Sequence, residues 1–217
     1  MRLVVKSKKL QEREVAGSSL ENQVHVSPHP IEKILDDVVN YPNPKNFNVR
    51  RTKPLGFYTS SAYKIENKMS SEWADFMRSE KFGSFGSIVL LKVNPSARIA
   101  IVENSADYEE LINKYGINPL AKEGAWATRE DRSLNFDNIA KDYDGFRITR
   151  EGYAEIEHWS YAWDVEQTVW FNKKVLTPIP LKQDSEISAP KGSPQYLDQK
   201  YNYISQFDTR MSSWGDY

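Results

Sequence analysis

The 217-residue chain contains no cysteine. Disulfides, zinc-thiolate centres and a cysteine nucleophile are excluded together, and the composition suits an intracellular setting. Histidine is scarce, at three residues. His25 and His29 stand four apart, which on a helix would put both rings on one face, but Pro28 and Pro30 oppose a helix there. No third histidine lies nearby, and no metal is expected. Long apolar runs are also missing, since no stretch approaches the roughly 20 residues that span a bilayer. The opening MRLVVKSKKLQERE has only three consecutive apolar residues, short of a signal-peptide core. Charge of one sign is absent too. Lys and Arg number 29 against 30 for Asp and Glu, a net charge of -1 that leaves no electrostatic footprint for nucleic acid. A local patch within a neutral total still permits such a partner. A soluble, cytoplasmic chain without a membrane partner is the expectation.

What is present reads as globular, with 39% hydrophobic and 27% charged residues in a length that suits one domain. A short strand is expected at Leu3 to Val5, and a second in QVHVS. In PIEKILDDVVN, residues Ile31, Ile34, Leu35, Val38 and Val39 follow the spacing of an amphipathic helix, with Pro30 at its start. YPNPKNFNVRRTKP is a proline- and asparagine-rich loop, and LGFYTS a strand opened by a glycine. A second helix is predicted from about Ser70, with Trp73, Phe76 and Met77 on one face and Ser70 as its simplest N-cap. KFGSFGS reads as a hairpin-type loop leading to the strands IVLLKV and RIAIVE, which NPSA separates. ADYEELINKYG is a third helix, capped by Ser105 and stopped by Gly116. A short helix near Phe136 to Tyr143, the strand candidates DGFRIT and TVWFN, and VLTPIPL complete the pattern. Beyond about Lys182 the chain turns polar and carries tyrosines without a clear period. Strands outnumber helices, so the class is α+β.

Neither a phosphate-binding loop nor a hydrolase elbow can be found: Gly83 and Gly86 precede a strand without GK[ST], and no G-x-S-x-G exists. Three separated pieces remain. They are VHVSPHPIEKI, KPLGFYTS, and DYDGFRIT followed later by DVEQTVWFNKKVLTPI. In the last, Glu166 opens a strand on the face of Thr168 and Trp170, with Val169 and Phe171 on the other face.

This order resembles the ADP-ribosyltransferase superfamily, in its diphtheria-toxin-like and poly(ADP-ribose)-polymerase-like branch. There a first strand carries H-G-[ST], a second G-[IL]-Y-F-[AS], and a late strand opens with E-x-x-V-[YF]-[ND]. The matching residues are His25-Val26-Ser27, Gly56-Phe57-Tyr58-Thr59-Ser60 and Glu166 to Asn172, within a stretch of about residues 24 to 180. The resemblance implies a split α+β fold of two facing β-sheets with flanking helices, and NAD+ in the cleft between the sheets. It gives Glu166 the catalytic role, hydrogen-bonding the ribose 2'-hydroxyl and stabilising an oxocarbenium-like ion. His25 would hold the adenosine-side ribose, and Tyr58 would stack on nicotinamide. Backbone groups of Val26 would bind the carboxamide, and Ser27 would assist at the ribose. Ser70 and Trp73 have the family's Ser-x-x-aromatic spacing for closing the nicotinamide pocket.

The pattern departs from the family at Val26, where a glycine is usual. FYTS and Asp164-Val165-Glu166 also approach the S-T-S and E-x-E of the arginine-led branch, in which the first acid binds the acceptor; Asp164 is retained for that role. Simpler readings stand beside these. Glu166 can be a solvated strand-end acid, Tyr58 and Trp73 core aromatics, and His158 a surface or core residue. Arg51, with Arg50, can grip the NAD pyrophosphate or lie solvated in a loop.

The expectation is a mono-ADP-ribosyltransferase domain over residues 1 to 182, followed by a polar, aromatic-bearing tail over 183 to 217. It would act as an intracellular toxin, an anti-phage defence effector or a phage-encoded modifier of RNA, DNA or protein, with an antitoxin or regulator as a possible partner. A catalytically inactive NAD- or ADP-ribose-binding module, or a non-enzymatic interaction protein, is the alternative.

Overall fold

The structure is a computed structural model that describes residues 4–5, 22–39, 54, 56–65, 67–117, 133–156 and 163–209. Twelve strands and six α-helices lie among the described residues, in the mixed α+β class that the sequence predicts. The strands are β1 (Val4–Val5), β2 (Asn22–Ser27), β3 (Phe57–Ser61), β4 (Tyr63–Ile65), β5 (Lys68–Ser70) and β6 (Ser87–Val93). They continue with β7 (Ile99–Val102), β8 (Gly116–Ile117), β9 (Ser133–Leu134), β10 (Gly145–Ile148), β11 (Gln167–Trp170) and β12 (Leu176–Pro178). The helices are α1 (Ile31–Val39), α2 (Glu72–Ser79), α3 (Ser105–Tyr115), α4 (Phe136–Asp142), α5 (Arg150–Ile156) and α6 (Pro194–Tyr201).

The chain forms two compact units. The first comprises Met1–Lys9, Asn43–Tyr58 and Ser96–Asn172, and the second Leu10–Pro42, Thr59–Pro95 and Lys173–Tyr217. Strand β3 gives its first two residues to one and its last three to the other.

In the first unit the strand order is β1-β7-β10-β11, with β3 beside β11. Strands β7 and β10 run parallel, whereas β10 and β11 are antiparallel. Side chains alternate across a strand. Ala100, Val102, Phe146, Ile148, Val169 and Phe171 accordingly enter one core, where they meet Tyr108, Leu111 and Ile112 of α3, Phe136 and Ile139 of α4, and Ile156 of α5. Gly145 lies opposite Trp170. A Cβ there would come within 3.0 Å of the indole, so glycine is what lets that ring lie against β10.

In the second unit β2 pairs with β6 over all six of its residues, and β12 flanks β6 on its other side. Val24 and Val26 of β2 join Ile88 and Leu90 of β6 in a core with Ala74 and Met77 of α2. Helix α1 buries Ile31, Ile34 and Val38, as its spacing predicts. Described residues after 182 contribute to this unit. Tyr203 and Phe207 are buried in the same core, the Tyr203 N–H donates to the Ile88 carbonyl at 2.8 Å, and Asn202 Oδ1 accepts from the Ile88 N–H at 3.1 Å.

Several local expectations shift. Helix α2 is capped by Ser71, whose hydroxyl accepts from the Ala74 N–H, so Ser70 is not the cap. Helix α3 is capped by Asn104 rather than Ser105, its side chain accepting from the Asp107 N–H at 3.0 Å. Each cap falls one residue from its expected place because two adjacent residues can both cap, and the extended backbone goes to one of them. Gly116 does end α3. The KFGSFGS loop joins α2 to β6 and is not a hairpin connection; Gly86 packs there against the Pro28 backbone, where a Cβ would sit 2.3 Å from the Pro28 carbonyl oxygen. NPSA marks the passage of the chain from the second unit to the first, so β6 and β7 belong to different units. The loop over residues 41–53 and His158 lie outside the described residues.

Candidate functional site

Glu166 stands at a bend immediately before β11. It is 4% exposed, which excludes the solvated strand-end acid. Alternation puts it on the same face as Thr168 and Trp170, opposite the core that takes Val169 and Phe171. Arg147 of β10 shares this face, because its neighbours Phe146 and Ile148 point into that core. Arg147 pairs with Thr168 in the β10–β11 register, so Glu166 is its diagonal neighbour, within reach of a long side chain. Arg147 Nη2 lies 3.0 Å from Glu166 Oε1, with both side chains buried. A buried charge needs such a partner. Thr168 Oγ1 and Gln167 Nε2, also buried, have no hydrogen-bond partner among the described residues. Asp164, two positions before Glu166, is exposed.

Tyr58 lies in the same unit, on β3. Its ring packs half-buried against the core and meets Trp163 edge-on, with centroids 6.0 Å apart. The hydroxyl donates to the Pro54 carbonyl, and burial raises the phenol well above its ordinary range. The strand is seated by Gly56, where a Cβ would come within 2.3 Å of a Val169 methyl. The first unit holds Tyr58, Asp164 and Glu166 on β3 and the approach to β11, but Tyr58 packs with Trp163 in the core, on the face of the sheet opposite Glu166 and Arg147. Arg147 and Trp163 are residues that sequence reasoning missed. The available signal for Arg147 was a lone cation inside the apolar strand GFRI, where an arginine is buried only if an acid meets it.

The second unit holds the other candidates. His25 is half-buried on β2, opposite Val89 of β6. Val26 turns its side chain into the core, which leaves its backbone for any polar contact. The pairing of β2 with β3 comprises only Gln23 with Ser61 and Val24 with Ser60. From His25 to Ser27, β2 is laddered to β6 alone among the described residues. Beside the β2–β3 pairing, Thr59 Oγ1 donates to Gln23 Oε1 at 2.8 Å and Gln23 Nε2 donates to Ser61 Oγ. The Ser27 hydroxyl accepts from the His29 N–H at 3.1 Å and shapes the turn into α1.

Ser70 is buried within a polar network: its hydroxyl donates to Asp75 Oδ1 at 2.6 Å and accepts from Arg78, which also pairs with Asp75 and Asp208. Trp73 stacks on Phe76 with centroids 5.4 Å apart and meets Phe82 edge-on. Arg51 lies outside the described residues. Among the described residues, no group of three or more His, Asp or Glu side chains could hold a metal ion, and no helix is long and apolar enough to cross a membrane.

No protein-family model, curated protein or solved structure matches the chain.

Proposed function

We propose that the protein is an NAD-dependent mono-ADP-ribosyltransferase acting on a macromolecule. The observation that carries the reading lies in the first unit, where Glu166, at the entry to β11, is a buried carboxylate in an ion pair with Arg147, and β3, which carries Tyr58, neighbours β11. The laddering of β2 supports it too, since the strand's Val26 backbone, which the resemblance assigns to the nicotinamide carboxamide, has one side outside any strand pairing among the described residues.

On this reading the bond between nicotinamide nitrogen and ribose C1' breaks, and neutral nicotinamide leaves with the bonding pair. The Glu166 carboxylate steadies the oxocarbenium-like ribose through its 2'-hydroxyl, and an acceptor nucleophile bonds C1' and gives up a proton. The resemblance assigns Tyr58 the aromatic face for nicotinamide, while its ring packs in the core on the face opposite Glu166, and Asp164, being exposed, is available to an acceptor. His25, Ser27, Ser70 and Trp73 keep the cofactor-binding roles that the resemblance assigns. RNA, DNA and protein are the acceptor classes, and a toxin, defence effector or phage modifier with a neutralising partner is the setting.

A second reading has an observation of its own. Arg147 holds a buried Glu166, which also suits a structural ion pair in a module that binds NAD or ADP-ribosyl groups without turnover. The two separate on incubation with labelled NAD+ and whole-cell lysate, scoring free nicotinamide and label in protein, RNA and DNA fractions. A steep loss of turnover in Glu166→Gln, to a low residual rate, while NAD binding persists supports the transferase. Binding without turnover in the wild type supports the module, and an absence of both sinks the two together.

A further inference from the structure

We infer that Arg147 is a positioning residue that sets the orientation of the Glu166 carboxylate for catalysis, which rests on the transferase reading of Glu166. Three features converge on it. Arg147 is 3% exposed in the middle of β10, a strand hydrogen-bonded on both sides, with Ile101 opposite it on β7 and Thr168 opposite it on β11. Its backbone is therefore fixed by two ladders, and the guanidinium is a rigid planar fork. Its contact goes to Oε1 of Glu166 at 3.0 Å, across the diagonal of the antiparallel pair. Glu166 itself precedes β11 at a bend and lies outside its ladder, so its own backbone is less constrained than that of Arg147.

A glutamate has three side-chain torsions, and a carboxylate that must meet one ribose hydroxyl is useful in few of their combinations. The ion pair at Oε1, a charge contact outside hydrogen-bond geometry, favours some of them before substrate arrives, and the opposite charge offsets the penalty of burying the carboxylate. The same face carries the unpartnered Thr168 hydroxyl, so a buried polar atom with unused capacity lies opposite Arg147 in the register. Arg147 acts through Glu166 and need not touch NAD+.

A double-mutant cycle on nicotinamide release tests this, using the full chain with Arg147→Gln, Arg147→Lys, Glu166→Gln and the double variant. Arg147→Gln is expected to lower kcat by about tenfold or more while KM for NAD+ changes by less than about threefold. Arg147→Lys should recover part of that loss, because it restores the charge without the fork. In the Glu166→Gln background, Arg147→Gln should have no further effect on kcat. Thermal unfolding of each variant separates folding from chemistry. If Arg147→Gln does not fold, the Arg147→Lys and double variants carry the comparison, since neither leaves an acid buried without a donor. An equal loss in both backgrounds, or a kcat unchanged by Arg147→Gln, overturns the inference and leaves the transferase standing. A wild type that neither binds nor consumes NAD+ overturns the transferase reading instead.

Discussion

Burial lifts the Tyr58 phenol well above the ordinary tyrosine range, and its hydroxyl is committed to the Pro54 carbonyl. The consequence for stability has a definite sign. Below about pH 10 the phenol is neutral in both folded and unfolded chains, so its contribution is fully present. As pH rises further the unfolded chain ionises first, binds fewer protons, and stability falls. Tyr108, Tyr115 and Tyr143 are each pushed up to about 12 and act in the same direction. Tyr58→Phe should therefore make the alkaline limb shallower, by up to about 1.4 kcal/mol per pH unit, without abolishing it. Denaturant midpoints measured from neutral pH to about pH 11 check this, and an unchanged slope would count against the burial of the phenol. At this scale the face of Glu166 is legible in the sequence, because a period of two fixes it against Val169 and Phe171. Its partner is not legible: Arg147 lies on another strand, and only the register of β10 on β11 brings the two together.

The helices were legible as elements and less so at their ends. Ile31, Ile34 and Val38 of α1 are buried as their spacing requires, whereas the caps of α2 and α3 each fall one residue away from the expected position. Asn104→Ala should cost about 1 kcal/mol, since it leaves the Asp107 N–H without its acceptor. Ser105→Ala should stay within about 0.5 kcal/mol, as expected of a residue that does not cap. Chemical denaturation of the two variants decides between the caps, and equal effects would return the choice to the sequence. Helix α6 escaped the apolar pattern because it buries little besides Tyr196; its start is written instead in Ser193 and Pro194, an N-cap followed by a proline at the first turn.

Across the whole molecule, both units are assembled from segments distant in the chain. The second takes its core from β2, β6, α2 and the residues after the last helix, and Phe207 is 2% exposed there. Phe207→Ala should destabilise by about 3–5 kcal/mol through the lost apolar contact and the cavity left behind. Thermal unfolding of the full chain reads it, and a loss under about 1 kcal/mol would mean that the segment is dispensable to the core.

By itself the sequence determined the absence of thiol chemistry, the α+β class, the spacing of α1, and the three pieces on which the functional proposal rests. Those are matters of residue type and local period, which a linear chain records directly. Tertiary structure alone decided that NPSA is a passage between units, that residues 202–207 belong to a core, and that Glu166 meets Arg147. Each depends on strand register or on contacts between segments far apart, and neither composition nor periodicity encodes which distant residue will stand opposite a given one.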